Sequence, residues 1–221
     1  MADIVLLDLD GTLADSRPGI VGSIHATLRE LGHNPDAAGD LTWAVGPPLA
    51  QVWARLMAQF GDDRVDHGIT LYRQHYGLTG LYDATLYPGI AAALEALYQS
   101  GNDLVLATSK RRDFAARIIE HFGLAARFLG IYGSEPGGAL DSKADLIAHI
   151  LRQENLSATG CVMVGDRLHD VGGAHANGIK TIGVLWGYGG RTELAKSGAA
   201  VMIDSPDLLP ASVAALRKAG G

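Results

Sequence analysis

Only one cysteine, Cys161, occurs in the 221-residue chain. A single thiol excludes an internal disulfide, and its setting in Cys161-Val162-Met163-Val164 marks a buried core residue rather than a nucleophile. The eight histidines are scattered, with no His-x-x-x-His pair and no Cys/His cluster of zinc spacing. No apolar stretch approaches the roughly 18 to 20 residues that a membrane helix needs, so no membrane partner is expected. Positive charge is also scarce: 18 Lys and Arg against 24 Asp and Glu leave a formal charge of -6, which argues against a nucleic-acid scaffold. The amino terminus lacks a basic segment and a cleavage-site pattern. Together these absences lead to the expectation of a cytoplasmic globular protein. Its length suffices for a full core, as one domain or as one domain carrying a smaller insertion.

What the chain does contain is an apolar run that ends in charge: Ile4-Val5-Leu6-Leu7-Asp8-Leu9-Asp10-Gly11-Thr12. The run is short, branched and without a polar face, which suits a strand buried on both sides. Residues two apart on a strand point the same way, so Asp8 and Asp10 project into one small volume. Paired carboxylates there are costly unless a cation neutralises them, and a divalent metal with oxygen ligands is the simplest candidate. A carboxylate beside such a metal can do covalent or proton-transfer work. A hairpin turn at Asp10-Gly11 leaves the doubled Asp unexplained, and no second strand follows at hairpin distance. A calcium loop fails on spacing: counting from Asp8, glycine stands at position 4 rather than 6, and position 12 is Gly19 rather than Glu.

Further strands are predicted at Leu104 to Ala107, Phe128 to Tyr132, Cys161 to Val164, Thr181 to Val184 and Ala200 to Ile203. Helical patterns separate them at Ile90 to Gln99, Asp113 to Phe122, Ser142 to Gln153 and Val171 to Ala176, with Gly123 and Gly178 at carboxy-terminal cap positions. This alternation predicts an α/β fold, a doubly wound parallel sheet with a Rossmann-like core. The stretch between the first strand and Leu104 is far too long for an ordinary crossover. It carries amphipathic helical patterns at Ile20 to Leu31, Leu49 to Phe60 and Val65 to Tyr76, and no convincing strand. Residues 15-86 therefore read as an inserted α-helical cap subdomain, with residues 1-14 and 87-221 forming the core. The turn Tyr87-Pro88-Gly89 returns the chain to the sheet.

Ligands of open parallel sheets bind beyond the carboxyl ends of the strands, so the loops there should supply the partners of Asp8 and Asp10. Thr108-Ser109-Lys110 offers hydroxyls and amides for phosphate oxygens, although such residues at a helix start are commonly caps. Lys143 opens a helix, an unfavourable end for a cation, which hints at an anion to pair with. Val164-Gly165-Asp166-Arg167-Leu168-His169-Asp170 adds two carboxylates after a second buried strand. Asp170 alone could be a helix cap, whereas Asp166 reads as a metal ligand. So many carboxylates beside a phosphate need more positive charge, and Mg2+ fits as a hard cation held by carboxylates, waters and phosphate oxygens.

Asp8-Leu9-Asp10-Gly11-Thr12-Leu13, Thr108-Ser109-Lys110, Lys143 and Gly165-Asp166 through Asp170 resemble, in order, the four motifs of the haloacid dehalogenase superfamily. Within it the chain is similar to the phosphoglycolate phosphatase-like branch, a placement strengthened by Tyr87-Pro88-Gly89 and by Gly183 through Gly189. The resemblance implies a Mg2+-dependent phosphatase in which Asp8 attacks phosphorus and Asp10 serves as acid and base. Asp8, the carbonyl of Asp10 and Asp166 would hold the metal, with Asp170 supporting the site from behind. Thr108, Ser109 and Lys143 would bind the phosphoryl group. The implied partner is a small phosphorylated metabolite, for a protein that is a monomer or homodimer. A 5'-nucleotidase of nucleoside monophosphates and a phosphosugar mutase are the alternatives. A phosphosugar mutase is disfavoured because Ile20 stands where such enzymes carry a hinge histidine. A metal-free dehalogenase and a silent phosphate sensor fit the retained carboxylates less well. Trp43, Gly46-Pro47-Pro48, Arg55, Arg64, Arg73 and Tyr76 are the insertion residues that could meet a substrate, with the Gly46-Pro47-Pro48 loop favoured.

Overall fold

The computed structural model describes residues 3–138 and 140–218. The ends of the expected core segments and Ala139, in the loop before Lys143, lie outside the described residues. In chain order the elements are β1 (Asp3–Leu7), β2 (Ala14–Asp15), α1 (Arg17–Glu30), α2 (Leu49–Phe60), α3 (Val65–Leu78), β3 (Thr85–Leu86), α4 (Ile90–Gln99) and β4 (Asn102–Arg111). They continue as α5 (Arg112–His121), β5 (Phe128–Ser134), α6 (Lys143–Gln153), β6 (Cys161–Gly165), α7 (Leu168–His175), β7 (Lys180–Val184), α8 (Arg191–Ser197), β8 (Val201–Ile203) and α9 (Leu209–Lys218).

Six strands form one parallel sheet in the order β5-β4-β1-β6-β7-β8. β1 lies inside it, and Ile4 to Leu7 are no more than 1% exposed. Alternation along the strands sorts side chains to two faces. Val5, Leu7, Leu104, Leu106, Val162 and Val164 join helices α4, α5 and α9, while Ile4, Leu6, Val105, Ala107 and Met163 join α6 and the end of α7. The continuous apolar character of β1 and β6 reflects this cover on both faces. Register then sets the site: Leu7 pairs with Leu106 on one side and Val164 on the other. Asp8, Thr108 and Asp166 consequently lie within two residues of one level, Asp8 and Asp166 just past the ends of β1 and β6 and Thr108 within β4.

Helices α1, α2 and α3 pack together, α3 lying against both of the others. Their interior contains Ile24, Leu28, Trp53, Leu56 and Met57, all 1% exposed or less. Gly68 is dictated by that packing, because a Cβ there would come within 2.6 Å of the Trp53 ring. α2 stops at Gly61, whose φ of 63° supplies the left-handed carboxy-terminal cap. The apolar cluster is continuous from these helices into the Val5 face of the sheet.

Three expectations need correction. The stretch 15-86 is not free of strands: β2 and β3 pair antiparallel, Ala14 opposite Leu86 and Asp15 opposite Thr85, at the base of the helices. Strands of two residues have no periodicity to read. β4 extends to Arg111, so Thr108-Ser109-Lys110 belongs to a strand rather than a loop, with its register against β5 shifted between Ala107 and Arg111. α7 begins at Leu168, earlier than expected, because the Asp170 side chain accepts from the Arg167 N–H at 3.0 Å and closes the first turn.

Trp53 is fully buried, so Trp53→Ala is expected to cost about 3 to 5 kcal/mol by cavity formation. Chemical denaturation followed by circular dichroism measures it.

Candidate active site

The first carboxylate, Asp8, is tied at its main chain to β6, donating its N–H to the Val164 carbonyl at 3.0 Å. Its Oδ1 accepts from Lys143 Nζ at 3.0 Å. Lys143 stands at the start of α6 behind the cap residue Ser142, whose hydroxyl accepts the Asp145 N–H at 3.4 Å. The ammonium also meets Asp170 Oδ1 at 2.8 Å and donates to the Ala107 carbonyl at 2.8 Å. It thus joins β1, β4 and α7 at one point. Burial disfavours the ammonium, but the charges of Asp170 and Asp8 outweigh it and hold the Lys143 pKa above the ordinary lysine range.

Asp166 is fully buried beside them. Its Oδ2 accepts the Tyr188 N–H at 2.7 Å and its Oδ1 the Thr12 hydroxyl at 3.3 Å. Burial, then Asp170 and Asp8, push its carboxyl well above the usual carboxylate range. Burial also raises Asp170, to about 6, in spite of Lys143. One oxygen each from Asp8, Asp166 and Asp170 lie within 4.8 Å of one another. With all three ionised they carry three negative charges against the single charge of Lys143, a surplus of two in a set of oxygen donors. That surplus fits a hard divalent cation such as Mg2+. The side-chain cluster therefore includes Asp170, which the sequence placed behind the metal, whereas the Asp10 carboxylate is engaged elsewhere.

Asp10 Oδ2 pairs with Lys110 Nζ at 3.1 Å, and its Oδ1 is buried without a hydrogen-bond partner. Lys110 in turn donates to the Tyr76 hydroxyl at 2.6 Å, linking α3 to the site. Thr108 is buried and accepts the Lys110 N–H at 3.3 Å. Ser109 borders two adjoining cavities. One, of about 400 Å³, lies between the helices and the sheet and is also lined by Asp10, Lys110, Pro47, Arg73 and Tyr76. The other, of about 280 Å³, is lined by Pro48, Lys143 and His169. The structure thus brings Asp8, Asp166, Asp170 and Lys143 into direct contact or close approach. It sets Asp10 and Ser109 around the adjoining space, whereas Thr108 is buried and lines neither cavity.

Of the insertion residues singled out, Gly46, Pro47, Pro48, Arg73 and Tyr76 line these cavities. Trp43, Arg55 and Arg64 do not: Arg55 lies over the Trp43 ring at 3.8 Å, and Arg64 pairs with Asp62 at 2.6 Å.

Several site residues escaped the sequence reading. Gly11 has a φ of 83°, and a Cβ there would lie 2.3 Å from Asp166 Oδ2; the glycine directly after Asp10 was the available signal. Arg167 donates to the Val45 carbonyl beside Gly46 and pairs with Glu193 at 2.9 Å, fixing the loop at the cavity mouth. Tyr188 donates its hydroxyl to Asp15 Oδ1 at 2.7 Å and accepts the N–H groups of Ser16 and Arg17 at 3.0 and 3.1 Å. Ser16 makes no side-chain cap for α1, so this phenol satisfies the exposed amides there. Neither residue carries a short motif pointing to its partner.

The family model described as haloacid dehalogenase-like hydrolase matches residues 5–184, most of the chain and all of these site residues except Tyr188 and Glu193. The chain belongs to that family. A 5'-nucleotidase of Pseudomonas aeruginosa is 42% identical over 86% of this chain and 86% of its own. The tyrosine-protein kinase PtkA of Mycobacterium tuberculosis is also 42% identical, over 84% of this chain, which spans 63% of that relative. A plasmid-encoded phosphoglycolate phosphatase of Cupriavidus necator is 30% identical over 97% and 94%. A predicted phosphatase from Clostridium acetobutylicum has the same fold, with a TM-score of 0.88 at 35% identity and coverage of 97% and 99%. The α/β fold is thereby shared with that solved structure, and this family member is a phosphatase.

A carboxyl whose folded pKa is raised makes the fold lose stability as pH climbs from the ordinary carboxylate range toward the raised value. In the presence of chelator, Asp166→Asn is therefore expected to be more stabilising at pH 7.5 than at pH 4.5, relative to wild type. Urea unfolding at the two pH values checks the sign.

Proposed function

We propose that the protein is a Mg2+-dependent phosphatase that hydrolyses a small phosphate monoester through an aspartyl-phosphate on Asp8. The observation that carries this reading is the Lys143 ammonium held between Asp8 and Asp170 with Asp166 alongside. Lys143 donates to Asp8 Oδ1 and so fixes that oxygen beside the cavity that Lys143 itself lines, as a carboxylate nucleophile requires. With a divalent cation offsetting the surplus negative charge, Lys143, the Thr108 hydroxyl and the Ser109 amide would contact the transferring phosphoryl oxygens.

Asp10 is the acid and base in this scheme. It borders the larger cavity, where a leaving alkoxide would emerge, and its unpartnered Oδ1 is free to carry the proton. It would protonate the leaving oxygen, then take a proton from the water that attacks the acyl phosphate. Asp8, the Asp10 carbonyl and Asp166 would hold Mg2+, with Asp170 and Thr12 orienting them. When bound, the ion supplies charge neutralisation and in-line positioning of the phosphate. We assign α1 to α3 the part of a cap that covers the larger cavity and excludes water from the acyl phosphate.

The substrate class favoured is phosphoglycolate-like, a small acid ester. The 42% identical 5'-nucleotidase supports nucleoside monophosphates as the second reading.

Asp8→Asn is expected to reduce phosphate release from p-nitrophenyl phosphate by at least about 10³-fold while the circular dichroism spectrum stays native, since an amide is a very poor nucleophile. Excess chelator should stop wild-type turnover, and added Mg2+ should restore it. Wild-type rates in the Asn variant sink the nucleophile assignment, and full activity in chelator sinks the metal.

A further inference from the structure

The larger cavity is bordered by three cations, Arg73, Lys110 and Arg111. Two of them are engaged. Lys110 is shared between Asp10 at 3.1 Å and the Tyr76 hydroxyl at 2.6 Å. Arg111 holds Asp113 through two bonds of 2.9 Å. Arg73 makes no ion pair among the described residues, and its Nε is buried with no acceptor. Asp66 and Asp141 border the same space, yet neither pairs with Arg73, and Asp66 is exposed in the first turn of α3.

The position of Arg73 follows from the docking of its helix. Tyr76 lies three residues further along α3, on the same face, and its hydroxyl is fastened through Lys110 to Asp10. That chain of contacts sets the Arg73 turn at the wall of the cavity whose floor holds Asp10 and Ser109. A buried guanidinium donor without an acceptor is costly, and its planar fork matches a carboxylate or phosphate. The aromatic neighbours do not offer a stacking face in its place. Tyr72 and Tyr76 stack on each other at 5.5 Å, and Phe114 closes edge-on to Tyr76 at 5.5 Å.

We infer that Arg73 is the receptor for a second anionic group on the substrate, at the end remote from the transferring phosphoryl, so that this phosphatase selects small esters bearing a carboxylate or a second phosphate over neutral esters and nucleoside monophosphates. The inference rests on the proposed phosphatase activity and names its substrate class. Arg73 acts here in specificity: it touches the substrate but no reacting atom.

The test compares kcat/KM of the Mg2+-loaded wild type, Arg73→Lys and Arg73→Gln on four probes: phosphoglycolate, ethylene glycol bisphosphate, ethyl phosphate and AMP. Wild type should prefer phosphoglycolate, ethylene glycol bisphosphate or both, the probes that carry a second anionic group, over ethyl phosphate. Arg73→Gln should lower that preference about 10- to 100-fold, chiefly through KM, as loss of a charged hydrogen bond predicts. Arg73→Lys should recover part of it, and the preferred probe identifies the anion. Preference for AMP or ethyl phosphate, or an equal loss on all probes in Arg73→Gln, overturns the inference while leaving the phosphatase reading intact. No turnover of any probe by wild type removes the phosphatase reading and this inference with it.

Discussion

A single ammonium organises the acidic end of the sheet. Lys143 is almost completely buried, and three elements distant in sequence converge on it: Asp8 from β1, the Ala107 carbonyl from β4 and Asp170 from α7. Buried like charges repel strongly, so Asp8 and Asp170 can be neighbours only because the cation stands between them. The arrangement compensates incompletely. Asp166 makes no ion pair among the described residues, and burial with its two acidic neighbours forces its carboxyl upward in spite of Arg167. The protein thus concentrates negative charge in a dry place, and this excess makes the site receptive to a divalent cation.

A second link of the same kind joins the helices to the sheet. Asp10, Lys110 and Tyr76 run in series from the catalytic turn to α3, and the Lys110 ammonium also lies 4.5 Å above the Tyr76 ring. Around this polar thread the apolar cluster is continuous between helices and sheet. The helices therefore contribute to the shape of the cavity through specific contacts with chemistry-bearing residues, as well as by covering it.

Much of this was legible in the sequence, and the reasons are physical. Asp8 and Asp166 follow strands whose uniform apolar character can only mean burial on both faces, so charge at their ends stands out. Lys143 was readable as a cation at the wrong end of a helix dipole. The parallel sheet followed from alternation of strand and helix. What could not be read depends on side chains meeting across the fold. The sharing of Lys110 between Asp10 and Tyr76 spans elements with no periodic relation, and the β2–β3 ribbon is too short to show a pattern. The true start of α7 depended on one side chain, Asp170, bonding back to its own helix terminus. Among the insertion arginines, sequence could not separate Arg64, consumed by Asp62, from Arg73, left unpaired at the cavity wall.

Tyr188 couples two places that the sheet otherwise keeps apart. Its amide holds Asp166, while its phenol carries Asp15 and the first amides of α1. Displacing the start of α1 from the sheet would break every bond at that phenol together. The first turn of α1 is thereby tied through one side chain to the acidic cluster itself.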